Sequence, residues 1–438
     1  MRAVIGDLFM NTRFFNAKIL CTNSDRSFDI IKGDLWVEGD RITYIGNSAD
    51  APQKEGMTWD REIDVNEDLL MPGFKNAHAH TYMTFLRSYA DDLPLQEWLY
   101  NLCFPMEDKL DTENIRPFEI LGIMEYLTSG ITTSFDMCYF PPVYAQVAAE
   151  CGFRAVQVSG DNSFGGLASV VEENYHKVNE TSDLTSFMIG FHAEYTTKPE
   201  LMKEIADLAH KYKTPLFMHN AETRREVDEC LERYGKTPTQ LTDELDMYAY
   251  GGGGYHCIWF DEKDFEIFKK RDLTAVTCPA SNLKLASGIA PLKAFVDRDI
   301  NVAIGTDGAA SNNALDMFRE MYLAATLAKV REEDAACIPA EKILYMATAG
   351  SAKAMALPDC DSLAVGKKAD LIRIDLTQPN MQPENNLVTN LVYAGGKQNV
   401  TMTMVDGKIL YENGKFSIGV EPQDVYRDVN AIIRSMKA

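Results

Sequence analysis

Along the chain the apolar positions change texture twice. From residue 1 to about 70, runs such as DLFMNTRFFNAKILC and DLWVEGDRITYIGN are rich in β-branched and aromatic residues and punctuated by Gly, Asn and Asp, which predicts short strands. From about residue 358 the same texture returns in KKADLIRIDL and VTMTMVDGKILYENGK, with Asp-Gly and Asn-Gly as turn signals. Between them, eight apolar strand-like runs alternate with helical stretches: DLLMPGFKNAHAH, ITTSFDMCYF, FRAVQVSG, FMIGFHAEY, TPLFMHNAE, GGYHCIWF, LTAVTCPAS and NVAIGTDGAA. TENIRPFEILGIMEYLTSG and PELMKEIADLAHKYK show the helical periodicity, the second closing on basic residues in its last turn. Eight β/α units predict an α/β fold of the (β/α)8 TIM-barrel type, with a doubly wound sheet as the weaker competitor.

The two β-rich ends are too short to bury enough surface alone, so they are expected to pair into one small β-sandwich domain. The expected division is 1–70 plus 358–438 for that composite domain and 71–357 for the barrel, a size that 438 residues accommodate.

In such a barrel, chemistry sits at the C-terminal ends of the strands. His78 and His80 follow the first run, His192 the fourth, His219 the fifth, His256 closes the sixth, and Asp307 follows the eighth. Five of the seven histidines therefore fall at predicted strand ends; His176 and His210 lie on helical stretches and read as surface residues. Side chains at i and i+2 of a strand share a face, so His78 and His80 direct two imidazoles at one point. His78, His80, His219 and Asp307 form the type of set that holds one divalent metal, zinc being expected from the imidazole and carboxylate donors, with iron or manganese as alternatives.

Glu222, three residues beyond His219, is placed to shuttle a proton between a metal-activated water and a substrate; its competing role is a helix-opening carboxylate favoured by the dipole. YGGGGYHC lacks the GK[ST] ending of a phosphate loop and reads as a flexible approach to a strand. Cys278 in TCPASN has no evident paired base and reads as a small buried hydrophobe.

Composition narrows the partners. Hydrophobic residues make up 46% and charged residues 25%, the balance of a globular enzyme. The 65 acidic residues outnumber 43 basic ones for a net charge of −22, with no Lys/Arg run, which argues against nucleic acid as a partner. Nine cysteines without a CxxC pair argue against a disulfide framework, and the absence of a signal-like start or a long apolar run predicts a cytoplasmic protein with no membrane partner.

Taken together, PGFKNAHAH, MHNAE, YHC, CPASNLKLASGIAP and GTDGAASNN resemble the amidohydrolase superfamily, in particular its branch deaminating 5'-methylthioadenosine and S-adenosylhomocysteine. That resemblance implies a mononuclear metal on His78, His80, His219 and Asp307. It implies catalytic roles for Glu222, which protonates the ring nitrogen, for His256, which orients the attacking water, and for Asp307, which accepts its proton. LQEWLYNLCFPMEDKL resembles the ribose-binding segment, so Trp98 is carried over as an apolar wall and Glu107 as acceptor for a ribose hydroxyl. His192 matches a histidine near the nucleoside, although Ala193, Glu194 and Tyr195 replace the usual Ser-Pro-Tyr or Ala-Pro-Tyr.

Relatives that accept the homocysteine tail offer arginines after the third strand. Here those positions hold Ser159 and Leu167, while Arg154 lies early in the strand and is expected to point elsewhere. The expected substrate is thus a small purine nucleoside with a neutral 5' group, such as 5'-methylthioadenosine, 5'-deoxyadenosine or adenosine, ahead of S-adenosylhomocysteine. The alternatives are an aminohydrolase or chlorohydrolase of another ring (a guanine-like base, a pterin, an s-triazine) and a non-catalytic barrel, which the complete ligand set disfavours. Barrels of this kind commonly form homo-oligomers, and no isologous surface is identifiable in one sequence.

Overall fold

The computed structural model describes residues 10–52, 58–89, 91–160 and 166–437. Eight parallel strands succeed one another in chain order around a barrel: β1 Phe74–Ala79, β2 Ile131–Cys138, β3 Arg154–Ser159, β4 Thr185–Ala193, β5 Leu216–Asn220, β6 Gly252–His256, β7 Thr274–Thr277 and β8 Asn301–Ile304. All eight predicted runs became strands. Their inward side chains form a compact interior of Ala77, Phe135, Met137, Val156, Val158, Phe217, Tyr255 and Val276. The doubly wound alternative is excluded, because β8 returns to β1: the Asp307 N–H donates to the His78 carbonyl at 2.9 Å, and Asn76 and Thr306 are bonded side chain to side chain at 2.7 Å.

The terminal segments pair as expected, in one nine-stranded mixed sheet. Thr12–Thr22 lies at its centre, between Phe28–Glu38 and Leu69–Pro72, and the C-terminal strands Leu371–Ile374, Val400–Val405, Lys408–Glu412 and Lys415–Phe416 continue it beyond Leu69–Pro72. The start of the first predicted run, Asp7 to Phe9, lies outside the described residues. The sheet encloses its own core around Phe14, Leu35, Leu70, Leu371 and Met402.

Arg154, at the start of β3, turns toward this sheet. Its guanidinium donates to Asp370 at 2.8 and 3.1 Å and to Asp406 at 2.9 Å. Beside that cation, Asp370 is held well below the ordinary carboxylate range although it is fully buried.

The glycine run is explained by close approach. A Cβ on Gly252 would lie 2.0 Å from the Leu216 carbonyl oxygen, and one on Gly253 2.1 Å from that of Thr274, so β6 fits between β5 and β7 only without side chains there. Among the described residues no helix is long and apolar enough to cross a membrane.

Candidate active site

Strand pleating and the β8–β1 seam bring the predicted residues together at the C-terminal mouth of the barrel. His78 Nε2 lies 3.5 Å and His80 Nε2 3.4 Å from Asp307 Oδ1. The His219 ring is 4.9 Å from that of His78 and nearly parallel to that of His80 at 5.5 Å. Tyr255 stacks on His78 at 3.8 Å and closes the site from the barrel interior.

Each imidazole has a reason for its orientation. His80 Nδ1 meets the Met137 carbonyl at 2.9 Å and His219 Nδ1 the His192 carbonyl at 2.8 Å. A carbonyl only accepts, so both rings carry a proton on Nδ1 and turn Nε2 into the site. His78 is fully buried, and among the described residues neither of its ring nitrogens has a hydrogen-bond partner. Burial, together with the neighbouring imidazoles, pushes His78 and His219 well below the ordinary histidine range and keeps them neutral. An orphaned neutral imidazole costs free energy in a closed protein, and a cation is the partner this donor set fits. The ligand atoms of His78, His80 and Asp307 lie within 4.8 Å of one another, as do those of His78, His219 and His256. The second grouping includes His256, which the sequence reading kept apart from the metal.

Glu222 and His256 face each other, Glu222 Oε2 lying 3.7 Å from His256 Nε2, which is 4.0 Å from Asp307 Oδ2. Burial raises the Glu222 carboxyl above its ordinary range. Burial works against a charged His256, yet the carboxylates of Glu222 and Asp307 and a hydrogen bond to Asn282 outweigh it, and the ring is raised. Asp307 shows the converse balance: burial opposes its charge, while His256 and His80 bring it below the usual carboxylate range. Ala221, His256 and Asp307 all adopt left-handed backbone, at φ of 53°, 71° and 59°. Such conformations cost about 1–3 kcal/mol each in side-chain-bearing residues and cluster where a fold aims functional groups.

Above these groups opens a cavity of about 320 Å³, within the range of small-molecule sites. Trp98, Glu107 and His192 all line it, beside His80, His219, Glu222, His256 and Asp307. Trp98 sits on the short helix Leu95–Trp98, which continues through a wide π-helical turn, Leu99–Cys103, into Phe104–Glu107. Its indole N–H is buried without a partner among the described residues, so Trp98 offers a donor as well as an apolar face. His192 Nδ1 contacts Thr196 Oγ1 at 3.0 Å. Glu194 is buried and bound by the Arg233 guanidinium at 2.6 and 3.2 Å, and Tyr195 beside it lines the cavity.

Several contributors escaped the sequence reading. Tyr82, Met83, Leu95 and Tyr195 line the cavity, and Ser281, Asn282 and Ser287 bond to Asp307, His256 and Glu222. The last three stand in CPASNLKLAS, where the cysteine drew attention although its polar neighbours reach the site. Cys278 is buried, and burial pushes its thiol far up, as suits a hydrophobe.

Comparison with known proteins agrees with this architecture. The amidohydrolase family model matches residues 69–410. A 5-methylthioadenosine/S-adenosylhomocysteine deaminase of Caldanaerobacter subterraneus is 37% identical over 437 residues, covering 96% of this chain and 97% of that one. A 5'-deoxyadenosine deaminase of Methanopyrus kandleri is 37% identical over 390 residues, 87% of this chain and 90% of the other. The crystal structure of a zinc-bound adenosine deaminase from Xanthomonas campestris superposes with a TM-score of 0.90 at 30% identity, covering 98% of this chain and 99% of its own. By family match, by relatives along nearly its whole length and by fold, the chain belongs to the amidohydrolase family.

Proposed function

We propose that the chain is a metal-dependent hydrolytic deaminase of adenosine-type nucleosides, replacing a ring amine by oxygen with one water and releasing ammonia. The observation that carries this reading is the Glu222–His256–Asp307 cluster, which adjoins the orphaned His78 imidazole at the floor of a cavity whose wall includes Trp98, Leu95, Leu99 and Met83.

His78, His80, His219 and Asp307 would hold one divalent ion, zinc by donor chemistry. Bound there, the ion supplies a water acidic enough to attack at neutral pH. The protein's own groups do the rest. Asp307 Oδ2 takes up a proton from the attacking water, and His256 Nε2, facing both carboxylates, orients that water toward the amine-bearing carbon. Glu222, raised by burial, delivers its proton to the adjacent ring nitrogen; the proton held on Asp307 passes to the departing amine, and the second proton of the water returns to Glu222 as the new carbonyl forms. Trp98 and Glu107 supply a donor and an acceptor at the ribose side of the cavity.

The names of the relatives support adenine nucleosides over guanine-like or triazine rings. No lysine or arginine lines the described cavity wall, which favours a neutral 5' group. Ser159 closes β3 as a buried residue and Leu167 is exposed, so neither supplies a cation, while Asp161 to Gly165 lie outside the described residues.

The test is zinc-loaded protein assayed for loss of adenine absorbance and release of ammonia with 5'-methylthioadenosine, 5'-deoxyadenosine and adenosine, and in parallel with guanine and a chlorotriazine. Deamination of the nucleosides, reduced roughly 10²–10⁴-fold in Glu222→Gln, is expected. Turnover of guanine or the triazine alone overturns the reading.

A further inference from the structure

A single segment touches all three groups that move or hold protons. Ser281 Oγ donates to Asp307 Oδ2 at 2.6 Å, Asn282 Oδ1 lies 2.8 Å from His256 Nδ1, and Ser287 Oγ donates to Glu222 Oε1 at 3.0 Å. All three side chains are buried. They come from the short helix Pro279–Lys284 and the turn that follows it.

That segment is anchored on both flanks. Glu320, buried on the helix Met317–Glu332, accepts from the Ala280 N–H at 3.0 Å and from Asn312 Nδ2 at 2.8 Å. On the other side the Trp259 indole N–H donates to the Ser287 carbonyl at 2.8 Å, tying the turn to the loop that follows His256. Lys284 Nζ donates to the Ala310 carbonyl at 3.0 Å, tying it also to the loop after Asp307.

We propose that Asn282 and Ser287 are positioning residues of the deaminase reaction: Asn282 fixes which nitrogen of His256 faces the substrate, and Ser287 fixes which oxygen of Glu222 does. An amide oxygen only accepts, so the His256 proton on that side sits on Nδ1, and Nε2 is the atom left to face Glu222 and Asp307. With Oε1 of Glu222 occupied by the Ser287 hydroxyl, Oε2 is the oxygen turned to His256. Proton transfer then runs through one oxygen and one nitrogen, with neither ring nor carboxylate free to rotate. The inference rests on the deaminase reading for its reaction, but the tautomer it assigns is a property of the folded chain.

The experiment joins kinetics to nitrogen NMR of protein labelled in its histidine rings, with His256→Gln used to assign the His256 signals. In wild type, with or without zinc, His256 is expected to carry its proton on Nδ1. Asn282→Leu should abolish that preference and lower kcat roughly 10–100-fold with KM changed less than about threefold. Asn282→Asp, which keeps an acceptor, should restore the Nδ1–H form. Ser287→Ala should lower kcat roughly 10-fold and Ser287→Thr should recover it.

A wild-type His256 protonated on Nε2 alone overturns the proposal, as does an Asn282→Leu enzyme with unchanged kcat. Should Asn282→Leu fail to fold, the wild-type spectrum and Ser287→Ala decide, and a Ser287→Ala enzyme indistinguishable from wild type overturns the second half. If no adenine nucleoside is turned over, the function proposed above fails, while the wild-type tautomer still judges the orientation assigned to His256.

Discussion

Tyr82 donates its phenolic hydrogen to Oε1 of Glu107 at 2.7 Å, with both side chains buried. The bond joins the turn just after His80 to the helical wall of the cavity, so the strand end that carries His80 and that wall are positioned together. It also leaves Glu107 Oε2 as the oxygen available to a ligand.

If that oxygen receives a ribose hydroxyl, Glu107→Gln should reduce kcat/KM for adenosine about 10–100-fold, the loss of one charge-assisted hydrogen bond. The same substitution should change kcat/KM for 2',3'-dideoxyadenosine by less than about threefold. Steady-state comparison of the two substrates in both proteins checks this, and equal losses on both would place Glu107 outside the ribose contact.

Metal removal should be visible without substrate. Stripping the ion would leave His78 buried with neither ring nitrogen bonded, and calorimetric melting should drop by roughly 5–15 °C and recover on adding zinc. His78→Ala should melt at a temperature that no longer responds to zinc.

The absence of lysine and arginine from the described cavity wall predicts discrimination by charge at the 5' end. With zinc-loaded enzyme, kcat/KM for 5'-methylthioadenosine should exceed that for S-adenosylhomocysteine by about 10-fold or more, since a charged tail would be desolvated without a partner. Equal values would require a cation that reaches the tail from outside the described wall.

The pair between Arg154 and Asp370 gives stability a pH dependence of definite sign. Asp370 is held below its ordinary pKa of 3.8, so its contribution is fully present above that value and is lost as pH falls through the lower, folded-state value. Asp370→Asn should cost about 3–5 kcal/mol in denaturant unfolding near pH 7 by leaving the buried guanidinium short of charge. The gap between the two proteins should narrow steadily in acid below about pH 4.

Gly253→Ala would place a methyl group 2.1 Å from the Thr274 carbonyl oxygen and should destabilise the barrel by about 1–3 kcal/mol or more. Gly235, whose added Cβ would meet nothing within 4 Å, provides the contrast. Its cost in Gly235→Ala should come only from its positive φ of 66° at a helix end. Thermal melts of the two variants separate packing from backbone conformation.

What the sequence made legible followed from periodicity and order. The eight strand runs stood out because each is a continuous apolar stretch, and the strand-end histidines because a barrel gives strand ends one common location. The glycine run was read as a flexible approach to a strand; its tight fit depends on carbonyls of strands more than 20 residues away on either side. Asn282 and Ser287 stayed hidden for a related reason: nothing local marks a serine whose partner is 65 residues distant. Tyr82 could have been suspected from its place two residues after His80, but its partner, 25 residues on, lies in a helical wall whose position the pattern does not determine.

The seam between β8 and β1 carries a consequence for how the protein is made. Asn76 and Thr306, which lock it, are 230 residues apart in the chain, and Asp307 reaches His78 only across that seam. On the ribosome, His78, His80 and His219 emerge long before the carboxylate that completes the set. An ion captured early would be held by imidazoles alone and would keep exchanging with solvent until the last strand docks. With the proposed donor set, metallation would be a late event in biogenesis, and nascent chains arrested before residue 301 should emerge unable to retain zinc against a chelator that the finished protein resists.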